Sequence, residues 1–410
     1  MTASDTHRAV DAVWRIESAR IVGALIRLVR DVGLAEEFAQ DALVAALEQW
    51  PESGVPPNPG AWLMTTAKRR AVDHIRRART LERKQKQLSR LEAPTAQERE
   101  PDDVGDDVLR LMFMACHPVL SPEARVALTL RLVGGLTTGE IARAYLVAES
   151  TVAQRIVRAK RLLAKQNVPF EVPSGEQLAP RLASVLEVVY LIFNEGYAAT
   201  AGEDWMRPAL CDEALRLGRI LSALAPKEPE AHGLIALLEI QASRSWARIG
   251  RDGAPILLMD QNRALWDRLL IRRGLAALDR AEELGGLRGP YTVQAAIAAC
   301  HARAVTPEET DWVRIAALYE ILAQLMPSPV VELNRAVALS RAFGPEVALE
   351  LVDQLADDPA LREYHLLPSV RGDLLAQLGR NRQARAEFHR AAALTHNARE
   401  REVLLRRAAE

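Results

Sequence analysis

Residues 136–165, LTTGEIARAYLVAESTVAQRIVRAKRLLAK, constrain this chain more than any other stretch, because they encode two short amphipathic helices joined by a tight turn. Thr137 followed three residues later by Glu140 forms a capping box and predicts a helix that buries Ile141, Ala142 and Tyr145. Leu146 to Glu149 are expected to form the turn, with Leu146 and Val147 where many such turns carry a glycine. A second helix from about Ser150 puts Val152, Ile156, Ala159 and Leu163 on one apolar stripe. The opposite face carries Thr151, Gln154, Arg155, Arg158, Arg161 and Lys165, with hydroxyl and amide groups near the N-terminus and cations further along. That order of groups fits a helix-turn-helix reading a major groove. A plain two-helix corner with a solvated basic face is the competing reading.

At 410 residues the chain has room for two to four domains, each with its own core. Hydrophobic residues make up 49% and aromatics only 5%, so alanine and leucine dominate the apolar set and an all-α fold is expected. The net charge of −1 hides basic clusters in the first 170 residues, interrupted by an acidic stretch, so local charge is the informative quantity. Cys116, Cys211 and Cys300 are far apart and lack CxxC spacing, which suits a reducing compartment. Without a signal-like apolar stretch or about 18 uninterrupted apolar residues, a soluble cytoplasmic protein with no membrane partner is expected. Cys116-His117 and Cys300-His301 have no second ligand pair at finger-like spacing, so packing rather than a metal is expected. No GxxxxGK[ST], GxGxxG after a strand, HExxH or GxSxG occurs, and neither a cofactor nor a catalytic role is expected.

Upstream, residues 8–50 read as two helices separated at Gly33, the first burying Val13, Ile16, Ile21, Leu25 and Leu28, the second Leu34, Phe38, Ala42, Leu43, Ala46 and Leu47. The second keeps Glu36, Glu37, Asp41 and Glu48 outward. PESGVPPNPG, residues 51–60, reads as a loop because its prolines remove backbone donors. Helix resumes at Ala61, where Trp62, Leu63, Ala67, Ala71, Val72 and Ile75 alternate with Lys68, Arg69, Arg70, His74, Arg76, Arg77 and Arg79. Such cation density on one helix is a phosphate-binding pattern. Residues 80–107 turn from basic to acidic, through Glu98, Glu100, Asp102, Asp103, Asp106 and Asp107, and read as a linker. Residues 108–167 form a compact helical unit, and 168–176 (VPFEVPSGE) a second boundary.

Residues 177–410 read as alanine- and leucine-rich helices with a weak repeat: Arg335, Ala348 and Val352 align with Arg371, Ala384 and Phe388 about 36 positions on, close to tetratricopeptide length. Leu378-Gly379 and Ala384-x3-Phe388 fit that repeat, while Arg382 stands where an aromatic is expected. The apolar helix Val185 to Phe193 is expected to finish at a glycine cap, Gly196, with Glu195 and Tyr197 beside it as core partners or ligand contacts.

Acidic helix, proline loop, Trp-led basic helix, linker and helix-turn-helix, in that order, resemble the extracytoplasmic-function (ECF) class of bacterial RNA polymerase sigma factors. LAEEFAQDALVAALEQWP (34–51) resembles region 2.2, NPGAWLMTTAKRRAVDHIRRAR (58–79) resembles regions 2.3 and 2.4, and 136–165 resembles region 4. LEVVYLIFNEGY (186–197), RPALCDEALRLGRIL (207–221), GPYTVQAAIAACHA (289–302) and PSPVVELNRAVAL (327–339) are similar to the subgroup with a tetratricopeptide-like C-terminal domain. The resemblance implies region 2 at 1–79, a linker at 80–107, region 4 at 108–167, a second linker at 168–176 and a regulatory extension at 177–410. It further implies that Glu36, Glu37, Asp41 and Glu48 face the β′ coiled coil of core RNA polymerase and that region 4 meets the β flap. Lys68, Arg69, Arg70, Arg76 and Arg77 would grip phosphates of the minus-ten element, with Asn58 on an extruded base. Thr151, Gln154, Arg155 and Arg158 would read the minus-thirty-five element, with Arg161 and Lys165 on its backbone. Asp73 is expected to pair within its helix, with a partner such as Arg77, rather than to contact a base. The extension would modulate activity or hold a regulatory protein. A one-component helix-turn-helix activator and a helical-repeat scaffold are the alternatives.

Overall fold

Alanine and leucine at helical spacing give the chain an all-α fold. The computed structural model describes residues 3–86, 104–145, 147–198, 205–250 and 255–409, and an isolated antiparallel bridge pairs Ile249 with Pro255. The chain divides into two compact units, Met1–Val188 and Val189–Glu410.

In the first unit, α1 (Ala3–Val29), α2 (Val32–Ser53) and α3 (Pro59–Lys86) pack on one another. The buried stripe of α1 runs through Val10, Trp14, Ile21, Val22, Leu25 and Ile26, whereas Ile16 is 66% and Leu28 40% exposed. Those two were expected inside. They fall off the face that the heavier residues at Trp14 and Leu25 define, and apolar letters alone do not fix which face wins. The break comes at Arg30 (φ 55°) and Asp31 rather than Gly33, because the Asp31 carboxylate accepts the Leu34 N–H at 2.8 Å and caps α2.

Pro51, expected in the loop, lies in the last turn of α2, where its missing donor costs one hydrogen bond and propagates no further. Gly54 (φ 81°) closes that helix by donating to the Trp50 carbonyl at 3.0 Å. α3 starts at Pro59, two residues before the expected Ala61, since proline at the first helical position forfeits nothing. Trp50 meets Trp62 edge-on at 5.4 Å and seals this end of the bundle.

α3 carries on to Lys86, through the first residues of the expected linker, while 87–103, with Glu98, Glu100, Asp102 and Asp103, lie outside the described residues. α4 (Val104–Ala115) takes in Asp107, which was expected as a solvated linker acid. It is 1% exposed instead, 2.9 Å from Arg27 and 3.1 Å from Arg110, so it serves as the counter-ion joining α4 to α1. α5 (Pro122–Leu132), α6 (Thr138–Tyr145) and α7 (Glu149–Lys165) follow, and then α8 (Leu178–Tyr197). The buried Arg125 of α5 donates to Ser184 at 2.6 Å and to Glu187 at 2.8 Å, and Arg181 donates to the Phe113 carbonyl at 2.8 Å. The first half of α8 is thereby fixed to α4 and α5.

The second unit starts within α8 and continues through α9 (Pro208–Leu224), α10 (Pro229–Ala242), α11 (Arg268–Glu283), α12 (Pro290–Arg303), α13 (Trp312–Leu325), α14 (Pro329–Phe343), α15 (Pro345–Leu355), α16 (Leu366–Gln377), α17 (Asn381–Leu394) and α18 (Ala398–Ala409). α12 is surrounded: Thr292, Val293, His301 and the run Ala295 to Ala299 are all buried, against α10, α11 and α13. α14 and α16 begin 37 residues apart (329 and 366) and α15 and α17 begin 36 apart (345 and 381). Ala348, Val352, Ala384 and Phe388, the positions of the sequence repeat, share one core.

Gly196 is not a cap. α8 runs on to Tyr197, and a Cβ at Gly196 would stand 2.6 Å from the Cys211 amide nitrogen and 2.9 Å from the Leu210 side chain, so glycine is there for the close approach of α9. Gly196→Ala is expected to destabilise the second unit by about 1–3 kcal/mol in chemical denaturation, and an unchanged midpoint would contradict this contact.

Candidate nucleic-acid interface

The helix-turn-helix forms from the letters that predict it. The Thr137 hydroxyl accepts the Glu140 N–H at 3.1 Å while the Glu140 carboxylate accepts the Thr137 N–H at 2.8 Å, a reciprocal capping box that starts α6. Ile141 and Ala142 are buried, Tyr145 is half-buried, and Leu146 of the turn lies outside the described residues. α7 begins at Glu149, one residue before the expected start, with that carboxylate in its first turn where the helix dipole favours it. Val152, Ile156, Ala159 and Leu163 are the buried stripe. Gln154, Arg158, Arg161 and Lys165 are exposed on the other side, and Thr151 and Arg155 are half-buried at its edge.

A second basic surface lies on α3, where Lys68, Arg69, Arg70, Arg76 and Arg77 are all exposed. Arg70 pairs with Asp41 at 2.9 Å and Arg76 with Asp73 at 3.6 Å. Asp73 was expected to pair within its helix with an arginine such as Arg77, and it does pair within α3, with Arg76 three positions on. Exposed pairs of this kind are worth about 0–1 kcal/mol, so a phosphate can displace the carboxylate. Asn58 accepts the Ala61 N–H at 3.0 Å and so caps α3, while its side chain stays exposed.

The acidic face of α2 is divided. Glu37 and Glu48 are exposed and Asp41 is half-buried, but Glu36, expected outward with them, is only 6% exposed. Its carboxylate lies 2.5 Å from Arg131 Nε of α5 and accepts a hydrogen bond from the Lys160 ammonium of α7. Burial alone would raise its pKa, yet Lys160 and Arg131 outweigh that and hold it below the ordinary 4.5. A further tie joins Arg15 of α1 to Glu140 at 2.9 Å. Neither Lys160 nor Arg131 stood out in the sequence. Their partner is 95 to 124 positions away, and no local spacing marks such a pair.

The buried thiols of Cys116 and Cys211 are pushed up to about 12 and stay protonated, with Cys116 Sγ 3.2 Å from the Thr129 hydroxyl. Among the described residues there is no group of three metal-ligating side chains, and no helix is long and apolar enough to cross a membrane. Two helices, α3 and α7, each bear a row of exposed cations.

Comparison with known proteins finds three family matches: Sigma-70 region 2 over residues 15–80, Sigma-70 region 4 over 110–163, and a family of unknown function, DUF6596, over 181–282. An uncharacterized protein of Rhizobium meliloti, R00370, is 46% identical over 384 residues, covering 92% of this chain and 90% of that one. The ECF RNA polymerase sigma factor SigL of Mycobacterium tuberculosis is 31% identical over 162 residues, 38% of this chain and 84% of its own length. The probable ECF RNA polymerase sigma factor SigI of the same species is 28% identical over 174 residues, 42% of this chain and 59% of its own.

Proposed function

Because this chain belongs to the ECF RNA polymerase sigma factors, we propose that it attaches to core RNA polymerase, reads both elements of a promoter and carries a C-terminal helical domain that modulates that activity. The observation that carries the reading is α7, whose buried stripe leaves Gln154, Arg158, Arg161 and Lys165 exposed on a single face. In this reading Arg158 and Gln154 meet base edges of the minus-thirty-five element, with Thr151 and Arg155 beside them, and Arg161 and Lys165 hold phosphates. Lys68, Arg69 and Arg77 on α3 grip the minus-ten backbone, joined by Arg70 and Arg76 once Asp41 and Asp73 release them. Asn58, at the N-terminus of α3, contacts an extruded base. Glu37, Asp41 and Glu48 face the β′ coiled coil, where complementary charge sets orientation and on-rate, and region 4 meets the β flap. Glu36 joins that face only when Arg131 and Lys160 let it go. Two basic surfaces on one chain suit a factor that spans two elements, working in the cytoplasm and leaving catalysis to the polymerase.

For the extension, the helical hairpins α14–α15 and α16–α17 and their 36–37 residue spacing support a tetratricopeptide-like repeat, and with it a surface for a regulatory protein. Replacement of Arg158 by alanine is expected to weaken promoter binding with core polymerase by about 1–3 kcal/mol and to relax preference at one base pair, measured by footprinting and in vitro transcription. An unchanged footprint and transcript yield would remove Arg158 from base reading.

A further inference from the structure

The second unit holds a half-open cavity of about 410 Å³ where the end of α8 meets α10, α12, α13 and α14. This lies within the range of about 300–1,000 Å³ typical of small-molecule sites. Its walls are largely aromatic and apolar, with Tyr190, Phe193, Tyr197 and Tyr319 around it and Phe193 stacked on Tyr197 at 5.3 Å. Among the described residues that line it, Arg244 is the one permanent cation and none is an aspartate or glutamate.

Arg244 is satisfied only in part. Its Nη2 donates to the Tyr197 hydroxyl at 2.6 Å and to the Gln241 side-chain Oε1, both neutral, and its Nε has no hydrogen-bond partner. Arg248 and Arg263, whose charged forms are disfavoured first by burial, are disfavoured further by the nearby Arg244. A positive field with no acid among the described lining residues leaves room for an anion. Facing the same space is His301, 8% exposed, whose Nδ1 has no partner. Burial, with Arg244 and Arg263, depresses His301 to about 3, so it is a neutral imidazole at physiological pH and offers a single N–H. One guanidinium with neutral donors matches a monoanion better than a phosphate dianion, and the aromatic walls match a flat apolar body.

We propose that this cavity binds a small organic carboxylate carrying a ring-sized apolar group, with the carboxylate on Arg244 and His301 and the ring between the tyrosines. Binding is measured without polymerase or DNA, so its outcome is independent of the promoter-reading assignment.

Isothermal titration of the full-length chain with phenylacetate and with 4-hydroxybenzoate, beside neutral phenylacetamide and cationic phenethylamine, tests it. At least one carboxylate is expected to bind saturably at one site, about tenfold or more tighter than the amide, with no detectable binding of the amine. Arg244→Gln is expected to cut carboxylate affinity about tenfold or more. If that variant does not fold, Asn334→Asp serves instead: Asn334 is an exposed position lining the cavity, and an acid there is expected to weaken the carboxylate severalfold. No saturable binding of either carboxylate, equal affinity for phenylacetate and its amide, or affinity unchanged in the folded variant would each overturn the proposal.

Discussion

Replacing Glu36 by alanine is expected to destabilise the first unit by about 3–5 kcal/mol, the cost of leaving buried charge without its counter-ion. Arg131 and Lys160 would then stand together with nothing between them, both largely screened from water. The loss should show in urea unfolding of the full chain and in faster amide hydrogen exchange in α2 and α7, the helices the carboxylate joins. Acid should mimic the substitution. Because the folded-state pKa of Glu36 lies below its ordinary 4.5, its contribution is complete above that value and is lost as pH falls through the folded value. The wild-type protein should therefore lose stability in that acidic window, and Glu36→Ala should lose less there. A variant as stable as wild type, with an identical acid limb, would show that the three charges do not hold α2 to α5 and α7.

Arg263→Met is the second large effect. Arg263 is buried, and its guanidinium donates to the His301 carbonyl at 2.9 Å, the Ala304 carbonyl at 2.8 Å and the Thr310 hydroxyl at 3.0 Å, closing the C-terminus of α12. Methionine keeps most of the volume and none of the donors. Three acceptors, two of them on buried residues, would lose their partner at once, and with a buried one worth on the order of 1–3 kcal/mol the second unit is expected to lose about 3 kcal/mol or more. Arg263→Lys should recover only part of this, since an ammonium cannot reach three acceptors in the planar fork that arginine provides. Thermal unfolding of the two variants beside wild type measures it. Equal midpoints for methionine and arginine would mean that water reaches these acceptors.

What could be read in the sequence was what neighbouring residues decide. The capping box at Thr137 and Glu140 and the stripe Val152, Ile156, Ala159 and Leu163 involve residues within a few turns, and the structure has them as read. Ile16 and Leu28 were misplaced for the opposite reason: the face of α1 that turns inward is set by α2, α3 and α4, and apolar residues occur on more than one side of it. Asp107 and Glu36 look like ordinary solvated acids in their own segments. Each becomes buried only because arginines or a lysine distant in sequence arrive beside it. The cavity was harder still, since Arg244 sits in the turn after α10, His301 on α12 and Tyr319 on α13, and nothing in their spacing couples them.

The surrounded helix α12 also affects how this protein can change over time. With neighbours on every side and a run of alanines setting how near they come, a larger residue on α12 fits only if α10, α11 or α13 gives up volume in the same step. Substitutions there must come in matched sets, whereas the exposed rim at Asn334 can vary one residue at a time. The place of the wall that α12 supplies should thus stay fixed among descendants, while the side chains that face the open space, Gln294, Ile297, Ala298 and His301, and those of the mouth are freer to vary. Related chains would share a cavity in the same place and differ in what they admit to it.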